Sequence, residues 1–344
     1  MPNNLQVSVL GGGSFGTVLA NLAASNNCEV NLWVRDSEQA LRINSESSNS
    51  SYHPELQLSK NIVASDNLEE CITTADIVFV AIPSSIFENI ILRMKPFLDP
   101  KTFVVSCTKG ISKNKIGPRT MSGIIREHLR VDEGARVGVL SGPNLAKEIA
   151  DNKVAGTVIA SQNLELISLI RQTLNSDKFK VYSSNDMEGI EYAGALKNIY
   201  AICCGIGDEL AIGENALGLV ITRSMAEMSR FAVAKGADPI TFLGLAGMGD
   251  LVATCTSKLS RNFSLGTYIA QGLHLNDAKD KVGQVAEGVK TLDVIYEEAR
   301  KIDLNMPLLF SLHNIIYNGA AVTSLLDDLI NHPGEHDVEF VYKK

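Results

Sequence analysis

The stretch Gln6-Val7-Ser8-Val9-Leu10-Gly11-Gly12-Gly13-Ser14-Phe15-Gly16 decides the fold of this 344-residue chain. Five residues of β character run straight into Gly11, Gly13 and Gly16, which satisfy G-x-G-x-x-G, and a helical pattern through Leu19, Leu22 and Ala23 follows. The first glycine permits a tight turn, the second lets a pyrophosphate approach the backbone, and the third allows close packing of helix on strand. The helix then aims its N-terminal N–H groups at the anion. Alone the six-residue pattern is weak; at the first strand-to-helix junction of an alternating domain it is strong.

The alternation is present. Further strands are expected at Glu29–Val34, Ile77–Ile82, Phe103–Ser106, Arg136–Leu140, Gly156–Ala160 and Phe179–Tyr182. Unbroken apolar blocks such as Ile77-Val78-Phe79-Val80-Ala81 mark strands buried on both faces of a parallel sheet. Parallel strands need crossover helices, so the expected fold class is α/β, a doubly wound Rossmann-type, parallel-rich sheet. After Tyr182 the texture changes: Asn185 and Glu188 form a capping-box pattern, and helical periodicity then runs to about Ile330. The expected division is a dinucleotide-binding domain at 1–186, an all-helical substrate and catalytic domain at 187–330, and a polar tail at 331–344. A second glycine cluster, Gly244-Leu245-Ala246-Gly247-Met248-Gly249, follows no strand and reads as a loop.

Composition narrows the function. Hydrophobic residues make up 45% and charged residues 20%, an ordinary globular balance. The net charge of −8 argues against a nucleic-acid surface or a polybasic membrane anchor, so an anionic substrate must be met by locally concentrated Lys and Arg. The six cysteines include no C-x-x-C pair. The strand pattern begins too early for a signal peptide, and no apolar run reaches the ~18 residues of a membrane span. Reduced thiols in a cytoplasmic enzyme without stable membrane insertion are expected.

Two places carry chemistry beyond the glycine loop. At the end of the second strand, Arg35 favours the 2′-phosphate of NADP while Asp36 leaves NAD open, and a solvated salt-bridging pair would explain both residues equally well. In the helix around Glu191–Asp208, Ile190, Gly194, Lys197, Ala201 and Cys204 form one stripe, small or apolar except for Lys197. A buried ammonium is pushed down in pKa and becomes a usable acid or base, as hydride transfer at a secondary alcohol requires. The alternative is a lysine stem that covers apolar surface with its head in water.

Seven segments together resemble the bacterial NAD(P)-dependent glycerol-3-phosphate dehydrogenases. They are Val9–Thr17, Ser106–Gly110, Ser141–Glu148, Gly194–Asn198, Gly247–Leu251, Ser260–Asn262 and Val285–Gly288, in the family's order along nearly the whole chain. The resemblance implies reversible hydride transfer between sn-glycerol 3-phosphate and NAD(P), running physiologically toward reduction of dihydroxyacetone phosphate for phospholipid synthesis. It makes Lys197 the general acid/base. It assigns Lys109, Gly142, Asn144, Lys197, Asn198, Asp250, Ser260, Arg261 and Asn262 to the substrate. It assigns Gly11, Gly13, Ser14, Phe15, Gly16, Arg35, Lys109, Ala146, Arg261, Val285 and Glu287 to the cofactor. Phe15 stands where many relatives have Trp, and Asn144 where Thr is common. A homodimer is compatible with the resemblance.

No metal is expected. His332-Pro333-Gly334-Glu335-His336 matches H-x-x-E-H formally, but that site needs both histidines on one helix, which Pro-Gly breaks. Two other functions compete: a hydroxy-acid dehydrogenase of similar architecture, whose arginine would clamp a carboxylate, and a non-catalytic dinucleotide redox sensor. The sensor would need neither a lysine on an apolar helix face nor a second anion site.

Overall fold

The computed structural model describes residues 5–129, 136–283 and 285–331. The described residues divide into two compact units, one within 1–108 and 121–187, the other within 109–120 and 188–344.

The first unit is built on an eight-stranded sheet with spatial order β10-β9-β8-β5-β4-β1-β2-β3. The strands are β1 (Gln6–Leu10), β2 (Glu29–Trp33), β3 (Ile62–Ser65), β4 (Ile77–Val80), β5 (Phe103–Ser106), β8 (Val137–Ser141), β9 (Ala155–Ala160) and β10 (Phe179–Ser184). The run β3-β2-β1-β4-β5-β8 is parallel throughout. β9 joins antiparallel to β8, and β10 parallel to β9. Strand order therefore reverses between β1 and β4, the point at which open α/β sheets bind ligands outside their carboxyl ends.

Both faces of the sheet are covered, as the apolar blocks require. Val7, Val9, Ile77 and Phe79 face a core shared with α1 (Ser14–Ser25), α2 (Ser37–Glu46) and α7 (Leu164–Leu174). Their alternates Leu10, Val78 and Val80 face a second core with α3 (Leu68–Ile72), α4 (Phe87–Met94) and α5 (Met121–Leu129). A short α6 (Ala146–Ala150) adds Ile149 to the first core. Full burial of each such side chain is worth about 1.5–3 kcal/mol, so the alternation fixes the register of every central strand. β3 was not anticipated: it is short and lies at the sheet edge, where Val63 is exposed.

The second unit is helical: α8 (Met187–Glu209), α9 (Glu214–Ala234), α10 (Asp250–Cys255), α11 (Arg261–Ala270), α12 (Leu275–Val282), α13 (Glu287–Lys301), α14 (Pro307–Asn318) and α15 (Ser324–Asn331). From Gly189 to Gly207 every residue of α8 is buried, so it is the axle of the unit and has no solvent face to contrast with an inward stripe. α11 crosses it at backbone contact. A Cβ on Gly205 would lie 2.0 Å from the Phe263 carbonyl oxygen, and one on Gly266 would lie 2.1 Å from that of Ile202. Glu227 of α9, buried, accepts from Tyr200 Oη (2.9 Å) and from the first N–H groups of α14 at Leu308 (2.8 Å) and Leu309 (3.1 Å). That bond set ties three helices at one carboxylate, whose pKa burial pushes up to about 7.

Two expectations are corrected. The segment 109–120, assigned by sequence to the first domain, belongs to the second unit. Ile111 is fully buried in the helical core, and the hairpin of β6 (Ser112–Lys113) and β7 (Pro118–Arg119) lies against α13. The second glycine cluster is not a loop but a π-helical turn, Leu245–Gly249, leading directly into α10. Its glycines permit close packing: a Cβ on Gly247 would lie 2.4 Å from the Phe242 carbonyl oxygen. Among the described residues no helix is long and apolar enough to cross a membrane. The tail's His332–His336 pattern lies outside the described residues.

Two glycine substitutions should separate packing from propensity. Gly205→Ala should destabilise by about 1–3 kcal/mol or more, because two backbones must part. Gly218→Ala, in α9 with open space around it, should stabilise by up to about 1 kcal/mol. Thermal and denaturant unfolding of the two variants checks both, and equal effects would contradict the packing argument.

Candidate active site

In the first unit, the glycine loop has the form an anion site needs. Gly11 has φ +117°, and a Cβ there would lie 2.5 Å from the Ala81 carbonyl oxygen at the end of β4. A Cβ on Gly16 would lie 1.9 Å from the Gly11 carbonyl oxygen, so α1 approaches β1 as closely as backbone allows. Gly13 caps α1 without a side-chain hydrogen bond and meets nothing within 4 Å at its would-be Cβ. The N–H groups at the start of α1 are thus left for a ligand.

The loop is braced by residues the sequence did not flag. Asn49 Nδ2 donates to Gly12 O (3.0 Å) and Thr17 Oγ1 (2.7 Å), and Gln39 Nε2 donates to Gly12 O (2.7 Å). His53, buried, contacts Ser14 through Nε2, 2.8 Å from O and 3.1 Å from Oγ. These bonds span 27 to 39 residues of chain and belong to no local motif, which is why no pattern shows them.

Arg35 and Asp36 are not a salt-bridging pair. Asp36 is the N-cap of α2, accepting from Glu38 N–H at 2.9 Å, while Arg35 is exposed. Phe15 and Ala146 are half-buried beside the first core. Beyond β8, Gly142 sits at φ +152° and Asn144 donates to Thr157 Oγ1 (3.0 Å). Asn144 Oδ1 is buried with no partner among the described residues, an acceptor that calls for a donor from outside.

In the second unit, Lys197, Asp250 and Lys109 are brought together. Lys197 Nζ donates to Asp250 Oδ1 (2.5 Å) and to Thr254 Oγ1 (2.5 Å), while Lys109 Nζ donates to Asp250 Oδ2 (2.7 Å). Thr254, absent from the expected set, in turn donates to the Asp250 carbonyl oxygen (2.6 Å). It lies one helical turn after Asp250, so i,i+4 spacing from the aspartate was the signal available. Lys197 and Asp250 side chains are 7% and 2% exposed, so this is a buried ion pair and not a snorkelling lysine. Burial pushes the Lys197 amine down to about 8; Asp250 opposes the fall and Lys109 adds to it. An ammonium has three N–H groups, and two are committed here.

A second group gathers around the start of α11. Ser260 caps the helix, accepting from Phe263 N–H at 3.3 Å. Asn262 Nδ2 donates to Asn198 Oδ1 (3.0 Å), and Asn262 Oδ1 accepts from Gly288 N–H (3.0 Å) at the start of α13. These two amides therefore join α8, α11 and α13. Arg261 is the first residue of α11 and exposed, Glu287 is the first of α13, and Val285 is half exposed just before it. Among the described residues no group of three or more His, Cys, Asp or Glu side chains is placed to hold a metal ion.

Comparison with known proteins puts this geometry in a family. Residues 6–167 match the family described as NAD-dependent glycerol-3-phosphate dehydrogenase N-terminus, and 186–327 its C-terminus. The chain is 44% identical to glycerol-3-phosphate dehydrogenase [NAD(P)+] of Alcanivorax borkumensis over 97% of this chain and 96% of that protein. It is equally identical to that of Acinetobacter baumannii over 98% and 93%. The crystal structure of glycerol-3-phosphate dehydrogenase from Coxiella burnetii superposes with a TM-score of 0.89 at 33% identity, covering 95% of this chain and 99% of that one. A ketopantoate reductase of Ralstonia eutropha, 17% identical with a TM-score of 0.58 over 93% of this chain and 98% of that one, shares the fold alone. The chain belongs to the NAD-dependent glycerol-3-phosphate dehydrogenase family.

Proposed function

We propose that the chain interconverts sn-glycerol 3-phosphate and dihydroxyacetone phosphate with NAD or NADP as hydride partner, and that Lys197 moves the proton. The observation that carries this reading is the buried Lys197–Asp250–Thr254 set, with its amine held near 8. When bound, the dinucleotide supplies or takes the hydride at C2. The protein must handle the accompanying proton: in reduction the Lys197 ammonium gives one to the C2 oxygen, and in oxidation the neutral amine takes it back. Asp250 and Thr254 fix the amine's direction, and Lys109 neutralises the other oxygen of Asp250. With the aspartate's charge shared between two cations, Lys197 is free to change protonation state.

The remaining roles follow from charge and exposure. The start of α11, with the Arg261 guanidinium, suits the substrate's phosphate dianion. Asn198 and Asn262 hold that helix end in place through their mutual bond and the Gly288 N–H. The orphaned Asn144 Oδ1 suits a hydroxyl donor of the substrate. The glycine loop and the uncapped start of α1 suit the pyrophosphate, with Ser14, Phe15, Ala146, Val285 and Glu287 as further cofactor contacts. For the cofactor we favour NADP. Asp36 is engaged as a helix cap and Arg35 is exposed beside it, which supports a 2′-phosphate partner for the guanidinium. In the cell this activity would reduce dihydroxyacetone phosphate in the cytoplasm and supply glycerol phosphate to phospholipids.

These roles predict the following outcomes. Lys197→Ala should lower turnover by about 10²–10⁴-fold while nucleotide binding, followed by fluorescence titration, stays close to the parent's; parental turnover would remove Lys197 from the mechanism. The rate of reduction, which needs the ammonium, should fall as pH rises through about 8, and the rate of oxidation should rise through the same pH. Lys109→Ala should move that inflection upward, since Lys109 presses the amine down, and Asp250→Asn should move it downward. Finally, Arg35→Ala should raise the KM for NADPH by about 10-fold or more and leave that for NADH nearly unchanged, the loss of one charge-assisted contact; equal effects would assign Arg35 no role in the choice.

A further inference from the structure

The segment 109–120 starts at Lys109, in contact with Asp250, and continues into the hairpin of β6 and β7. Two paired residues per strand cannot hold a hairpin's shape in water, so its conformation is set by what it docks on. The dock is α13. Lys113 Nζ lies 2.8 and 2.9 Å from the two carboxylate oxygens of Glu297, and Lys301 Nζ donates to the Ile116 carbonyl at 3.1 Å. Glu298, 7% exposed, sits under the hairpin's return at Gly117, where a Cβ would lie 3.2 Å from its Oε2. It is itself held by Lys235, just past the end of α9, and by Lys301 at 3.7 Å. A cleft of about 190 Å³ lies between hairpin and helix, so beyond Ile111, which seats the start of the segment in the helical core, these polar contacts set the hairpin's place.

The same helix begins at the catalytic side of the unit. Gly288, its second residue, donates to Asn262, and about 15 Å of helix separates it from Glu298. α13 thus connects the start of α11 with the segment that carries Lys109. A lysine stem has several rotatable bonds and loses about 2 kcal/mol of freedom when fixed. Its ammonium stays on Asp250 only if the backbone beneath it is anchored.

We propose that Glu297 and Glu298 are positioning residues for the proton-transfer step: they dock the hairpin Ser112–Arg119 on α13 and thereby hold the Lys109 ammonium against Asp250. The proposal rests on Lys197 being the proton-transfer group. Among the described residues, the charged and titratable groups that act on Lys197 are Asp250 and Cys255 from α10 and Lys109 from this segment. Loosening the hairpin withdraws the one cation among them and gives Asp250 wholly to Lys197.

The test is the pH dependence of dihydroxyacetone phosphate reduction by the full chain, in the parent, Glu298→Gln, Lys113→Glu, and the double reversal Lys113→Glu with Glu297→Lys. Lys113 and Glu297 side chains are 45% and 57% exposed, so reversing them leaves the core intact even if Glu298→Gln folds poorly. The inflection should move upward by about 0.5 in pH in each single variant, a roughly threefold change in the proton dissociation constant. The double reversal should bring it back. Single variants that keep the parent's inflection, or a double reversal that fails to restore it, overturn the proposal. A parent with no inflection near 8 overturns instead the reading of Lys197, and this proposal with it.

Discussion

The contact between Lys197 and Asp250 is the constraint around which the helical unit is arranged. A buried ammonium is tolerated only when its charge is answered at hydrogen-bond distance, and here the answer comes from Asp250 and Thr254 one turn apart on α10. The π-helical turn at Leu245–Gly249 precedes that helix, and its glycines let it pass close to Phe242. α8, which carries the lysine, is sealed on every side and locked to α11 at Gly205 and Gly266. The pair is therefore held by backbone-level packing, and small displacements of the charges are resisted by the whole core.

The first unit obeys a different logic. Its sheet is fixed by alternation: odd and even residues of β1 and β4 fill two separate cores, so a slip of one residue would exchange both. The reversal of strand order at β1 and β4 then leaves the glycine loop at the carboxyl end of the sheet, with open space around Gly13. Asn49, Gln39 and His53 hold that loop by hydrogen bonds to Gly12 and Ser14.

Much of this was legible in the chain. The fingerprint from Gly11 to Gly16, the apolar blocks and the lone lysine of α8 each carry their meaning in a short window. The stripe that singled out Lys197 was a weaker signal than it looked, because α8 is buried almost all round; the informative fact was the lone cation in a long, mostly apolar helix. What escaped was what local pattern does not encode. Ile62–Ser65 is an edge strand with one wet face. The polar hairpin at 112–119 has no alternation and owes its shape to α13. Thr254, Asn49 and His53 matter through partners far away in sequence. Asp36 was readable as a cap only once α2 was seen to begin at Ser37.

The central claim is that the Lys197 amine changes protonation near neutral pH because it is buried. Titrating the lysine Nζ signals of the uniformly ¹⁵N-labelled chain by NMR, with the Lys197 resonance assigned by its loss in Lys197→Arg, measures this without recourse to rates. The expected midpoint is at about 8. A midpoint at the ordinary lysine value of 10.5 would mean a permanently charged, purely structural cation, and would contradict it.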